Sequence, residues 1–157
     1  MSGRSGITKA MVAKMSSLFD GTGYYVNNLY GNIDSKIVHF EDVEEFPYIS
    51  VTAGGENRED LPSNFTWATL TVNITIYVKS EETAQEMLES IISDVETFLD
   101  THLSLEYTVV TSAGEQTKST VDNSIISINT DEGILSPLAL GQVTATVRYE
   151  KIRKTAP

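Results

Sequence analysis

Residues 67–79 constrain the fold most. Ala68, Leu70, Val72, Ile74, Ile76 and Val78 alternate with Trp67, Thr69, Thr71, Asn73, Thr75, Tyr77 and Lys79. Period-two alternation rich in β-branched residues predicts a long strand with one face in a core and one polar face. The period then changes. Ala84, Met87, Leu88, Ile91, Ile92, Val95, Phe98 and Leu99 fall on one stripe of an amphipathic helix, at about 3.6 residues per turn. Ser80 is the expected N-cap, with Glu81 and Glu82 near the positive end of the helix dipole. Glu86, Glu89, Asp94, Glu96 and Asp100 complete an acidic outer face. No Lys or Arg occurs from residue 80 to 117, so this helix has no i,i+4 salt bridges and depends on burying its stripe.

Weaker patterns flank this pair. Ile7, Met11, Met15, Leu18 and Phe19 predict a helix over residues 5–19, capped by Ser5 and stopped by Gly21 and Gly23. Residues 24–35 read as an irregular aromatic segment and Lys36–Phe40 as a short strand. Pro47 opens a strand that Gly54-Gly55 ends, leaving residues 54–65 as a polar loop. Leu105–Thr111, Ile125–Asn129 and Val143–Tyr149 read as strands, with polar loops at 112–123 and 130–141. The sum is an α+β domain: an antiparallel or mixed sheet with an N-terminal helix and a long central helix packed on it. A length of 157 residues fits one domain, 1–157.

Charge and chemistry narrow the function. The chain has 22 acidic and 11 basic side chains, a net charge of −11, and no cysteine. Residues 1–14 and 148–154 carry +6 between them, and the body carries −17. An acidic body disfavours general nucleic-acid binding, which needs clustered cations. Without cysteine there is no disulfide framework, thiolate nucleophile or thiolate zinc site. The first twenty residues lack the apolar run of a signal peptide and no stretch is long enough to span a membrane, so the expectation is a soluble protein made in a cytoplasm. Asn64-Phe65-Thr66 and Asn73-Ile74-Thr75 are then chance matches to a glycosylation acceptor.

No catalytic motif is present. His39 and His102 lie far apart, and Gly21-Thr22-Gly23 lacks the third glycine of a dinucleotide fingerprint. Glu41, Asp42, Glu44 and Glu45 cluster before Pro47, and Asp131-Glu132 precedes Gly133. Neither has the spacing of an oxygen-rich metal site. The reading is no cofactor, no metal and no enzyme. The candidate contact residues are Glu56, Arg58, Leu61, Phe65 and Trp67 in one loop, and Asp131, Glu132, Ile134 and Leu135 in another. Arg148, Lys151 and Arg153 form a basic end.

Several segments in order, NNLYGN (27–32), EFPYISV (45–51), LPSNFTW (61–67), LEYTV (105–109), TDEGILSPLAL (130–140) and VRYE (147–150), resemble the tail terminator proteins of bacteriophages with long, flexible, non-contractile tails. The resemblance runs from about residue 7 to residue 153 and implies an α/β sandwich fold. It further implies a structural virion protein at the head-proximal end of the tail, assembled in the host cytoplasm. Such proteins form a ring, typically a hexamer, that caps the tail tube protein, stops its polymerisation and offers a head-to-tail joining surface to a neck or head-completion protein. DNA passes through the lumen without specific binding, and no membrane is involved. An acidic lumen would repel phosphate, and the basic ends would meet acidic neighbours. The alternatives are a head-closure or tail-completion protein of the same junction, a small carboxylate-dependent hydrolase, and a ligand-binding module.

Overall fold

A computed structural model describes residues 2–152, with the side chain of Ile152 left out. In chain order the elements are α1 (Gly3–Leu18), β1 (Ile33–Asp34), a 3-10 turn (Phe40–Asp42), β2 (Tyr48–Asp60), β3 (Phe65–Lys79), α2 (Ala84–Thr101), β4 (Glu106–Thr111), β5 (Gly114–Ser119), β6 (Asp122–Thr130) and β7 (Leu138–Ile152). One sheet runs β1-β2-β3-β7-β6, antiparallel except for the short parallel β1–β2 pair. β4 and β5 form a separate hairpin. The α+β class and both helices are as the sequence predicts.

β3 is the middle of the sheet. Its six even-numbered residues, Ala68 to Val78, are all fully buried. They align with Val147, Ala145, Val143 and Gly141 of β7 on one side, and with Ile49, Val51 and Ala53 of β2 on the other. α2 covers this face with Leu88, Ile91, Ile92, Val95, Phe98 and Leu99, all essentially inaccessible. Each such side chain contributes about 1.5–3 kcal/mol relative to exposure. α1 adds Ile7, Met11 and Met15 to the same core and packs on β4. The opposite face, with Thr69, Thr71, Asn73 and Thr75, carries neither helix and stays half-exposed.

The structure corrects several boundaries. Ser2, not Ser5, caps α1; its hydroxyl accepts the Ser5 N–H at 3.2 Å. Gly6 is therefore inside the helix, where a Cβ would stand 2.4 Å from the Thr108 carbonyl oxygen. Ser80 accepts the Thr83 N–H and so caps the turn before α2, whose N-cap position is Thr83. Asp94 is not on the acidic outer face but buried. Its carboxylate accepts the Val26 and Asn27 backbone N–H groups at 3.1 and 2.9 Å and the Asn27 side-chain amide at 2.8 Å. Lys36–Phe40 is not a strand, because its carbonyls are taken by side chains: Lys36 O accepts from Ser50 and Val38 O accepts from Tyr77. Residues 112–123 are not one loop but contain β5 and the start of β6, and Gly141 lies within β7.

The largest correction concerns Gly54-Gly55. β2 does not end there. It bulges, with Ala53 opposite Val72 and Glu56 opposite Leu70, so β2 spends one more residue than β3. Glycines inside a strand often mark such a bulge. The extra residue shifts side-chain parity. Ile49, Val51 and Ala53 share the core face before it; Glu56, Arg58 and Asp60 share it afterwards, opposite Leu70, Ala68 and Thr66.

Gly6→Ala should test the α1–β4 approach. The added methyl must push the helix off a backbone carbonyl, so a loss of about 1–3 kcal/mol in unfolding free energy is expected by urea titration. An unchanged midpoint would mean that α1 does not lie this close to β4.

Candidate docking surfaces

The bulge carries polar side chains onto the extended core face at one end of the sheet, called here the tip. The Glu56 side chain is only 4% exposed. Its carboxylate accepts the Tyr149 hydroxyl on one oxygen and Arg58 Nε at 2.7 Å on the other. Arg4 of α1 donates to the Gly54 carbonyl beside it. Burial alone would raise the Glu56 carboxyl, but the bonds from Tyr149 and Arg58 and the charges of Arg58 and Arg4 hold it below the ordinary 4.5. Burial, then the bond to Glu56 and its charge, push the Tyr149 phenol well above its ordinary 10. The two groups are displaced away from neutrality in opposite directions. That holds charge in place and does not suit a proton-transfer pair, whose working group titrates near the operating pH.

Two concavities flank this cluster. A cleft of about 210 Å³ on the helix side is lined by Arg4, Arg58, Lys118, Lys151, Tyr107 and Tyr149, among others. Across the sheet tip, Leu61, Pro62, Phe65, Thr66, Trp67 and Glu150 surround an apolar hollow of about 240 Å³. The β2–β3 turn that holds it places Ser63 and Asn64 at positive φ. The Arg148 guanidinium lies 4.3 Å from the centre of the Trp67 ring, a contact worth about 0.5–1 kcal/mol at an exposed site. Phe65 is 43% exposed, so it does not complete the core.

Six sequence-selected residues, Glu56, Arg58, Leu61, Trp67, Arg148 and Lys151, thus converge on the tip. Arg148 and Lys151 belong to β7 and not to a frayed end. Arg153 lies outside the described residues. Asp131, Glu132 and Leu135 lie at the opposite end, the base, where β7 begins. Asp131 holds its own loop: it accepts the Leu135 and Leu140 N–H groups, both at 3.1 Å, and the Gln85 amide at 3.2 Å. Burial opposes these bonds, yet together they keep its carboxyl below the ordinary 3.8. Glu132 is exposed and Leu135 half-buried. His102 caps α2 and stacks on Phe98 at 4.7 Å, a structural role.

Sequence reasoning missed Arg4, Lys118 and Tyr149 as members of the tip. It also missed the 20–34 loop, where Tyr25 and Leu29 are buried while Tyr24, Val26 and Tyr30 are 84, 75 and 84% exposed. Asp94 fixes that loop, so these apolar side chains are presented on an anchored backbone. Among the described residues no group of His, Asp and Glu is arranged to hold a metal ion, and no helix is long and apolar enough to cross a membrane.

Comparison with known proteins decides the family. The profile described as Bacteriophage Tail Tube Terminator Protein matches residues 1–156. The tail tube terminator protein p142 of Escherichia phage T5 is 39% identical over 158 residues, covering 99% of this chain and 98% of that protein. The chain belongs to the bacteriophage tail tube terminator family. It is a structural, tail-capping virion protein and not an enzyme. A chain in the virion of a native gene transfer agent particle shares the fold, with a TM-score of 0.51, 10% identity and 96% coverage of both chains. A tail-capping protein works against the tube and against head-joining proteins, and as an oligomer. In a tail terminator the candidate site is a contact surface, and the sequence-selected residues fall into two groups, at the tip and at the base.

Tyr149→Phe should cost about 1.5–3 kcal/mol, the usual value for a hydrogen bond to a charged group. Glu56 supplies a pH signature. Its lowered carboxyl contributes stability in full above pH 4.5, lost as the pH falls through the lowered folded value. Urea midpoints of Glu56→Gln should therefore be lower than wild type near neutrality and converge with it in acid. Parallel pH profiles would contradict the cluster.

Proposed function

We propose that residues 1–157 act as one domain and that copies of it close into a ring of six on the head-proximal end of the tail tube. The ring stops further addition of tube protein and presents the surface to which a neck or head-completion protein joins the filled head. DNA crosses the lumen without specific contacts, consistent with a net charge of −11. Assembly takes place in the host cytoplasm before the tail meets the head. The near-complete alignment with the T5 tail tube terminator protein p142 carries this reading, since it spans both ends of the sheet and not one shared module.

A cap needs a surface for the tube and one for the neck, apart from the contact that closes its ring. The tip gathers Glu56, Arg58, Leu61, Trp67, Arg148 and Lys151, and Arg153 follows them in sequence; the base offers Asp131, Glu132 and Leu135. The apolar hollow at Leu61, Phe65 and Trp67, rimmed by Arg148 and Glu150, has the makeup of a docking anchor: aromatic surface with a charged border.

Phage lacking this protein should make overlong tails without heads, visible by electron microscopy. Normal-length, unjoined tails would overturn termination and point to a neck role. Leu61→Ser with Trp67→Ala should lower the yield of joined particles at least tenfold while thermal melting stays within a few degrees of wild type. Full yield would remove the hollow from the docking surface.

A further inference from the structure

The tip cleft concentrates positive charge on an acidic protein. Arg4 comes from α1, Arg58 from β2, Lys118 from β5 and Lys151 from β7, around about 210 Å³, against one acidic residue of the lining, Glu150. Arg58 is paired with Glu56, and Arg4 donates to Gly54. The Lys118 and Lys151 ammonium groups have no ion-pair or hydrogen-bond partner among the described residues. Neighbouring cations repel one another, and an entering carboxylate relieves that repulsion.

Matching charge sits at the base. Glu41, Asp42, Glu44 and Glu45 lie in and just after the 3-10 turn, all four exposed. None of their carboxylates has a partner among the described residues. β2 separates the two sites: it starts at Tyr48, three residues beyond Glu45, and reaches the cleft at Arg58. At about 3.3 Å per residue that is roughly 30 Å, too far for contact within one copy. A closed ring is built from one heterologous contact, in which two different patches on far sides of the subunit meet.

We propose that the cleft of Arg4, Arg58, Lys118 and Lys151 receives the Glu41–Glu45 carboxylates of the adjacent copy, and that this contact joins subunits in the ring. The inference rests on the ring reading above and names its interface. Spacing selects this segment over α2: its four carboxylates fall within residues 41–45 and can meet one cleft together, whereas the accessible acids of α2 are strung from Glu86 to Asp100.

Carbodiimide, which joins amines to carboxylates in direct contact, tests this on purified particles. Peptide mapping should find Lys118 or Lys151 bonded to a carboxylate within residues 41–45 of the same sequence. Bonds from these lysines to another virion protein, or none, would overturn the proposal. Charge exchange tests it again. Lys118→Glu with Lys151→Glu in one variant, and Glu41→Lys with Glu44→Lys in another, should each lose at least tenfold in joined particles. Expressed together, the two variants can alternate around an even-numbered ring with opposite charges at every contact, and the yield should recover. Full activity of either variant alone would overturn the proposal, as would no recovery from two variants that melt like wild type. Normal tail length without the protein would overturn tail capping but leave the cross-link result standing.

Discussion

Burial of the even-numbered face of β3 is the constraint on which the other features depend. Six fully buried side chains on one strand require partners on both sides and a lid above. β2 and β7 supply the sides, α2 and α1 the lid. Among the described residues α2 has no salt bridge on its outer face, so its position comes from its apolar stripe. Gly141 sits under Leu88, where a Cβ would come within 2.8 Å of that side chain, and so lets the helix lie close on β7. Once β3 is centred, its ends become the ends of the sheet, and both candidate contact regions are fixed there.

At the tip the core face runs out of apolar residues before it runs out of strand. The Tyr149–Glu56–Arg58 cluster continues that face with polar groups, and hydrogen bonds replace dispersion contacts. A buried carboxylate would be costly alone; here both its oxygens are used. The cluster thereby holds the backbone at the edge of the cleft while leaving two lysines without partners among the described residues. Structural satisfaction and available charge lie side by side, which is what a pre-formed contact surface requires.

How much was legible depended on whether a segment had one buried face. β3 and α2 do, and their periods revealed them nearly to the residue. β5, with GEQTKS, is almost wholly exposed, so no alternation marks it. The second half of β2 was hidden because Gly54-Gly55 reads equally as a stop or as a bulge, and the cross-strand register decides between them. Asp94 looked like one more acid on an acidic helix, since its use appears only when the 20–34 loop folds over it. Glu56, Arg58, Leu61 and Trp67 at the tip were selected from loop composition, and Arg148 and Lys151 from the basic cluster near the end of the chain. Their meeting with Arg4 and Lys118 depends on long-range packing that a linear pattern does not contain.

The bulge also bears on how such a chain can diverge. A one-residue insertion or deletion inside a strand ordinarily turns its core residues outward and ruins it. At Gly54-Gly55 the strand beyond carries no core residue of its own. Removing one residue there would undo the bulge and leave Glu56, Arg58 and Asp60 opposite Leu70, Ala68 and Thr66, with Ile49 and Val51 where they are. The bulge thus separates an apolar, buried half of the strand from a polar half. A change of length at this one position therefore leaves both the core before it and the Glu56 cluster after it in place.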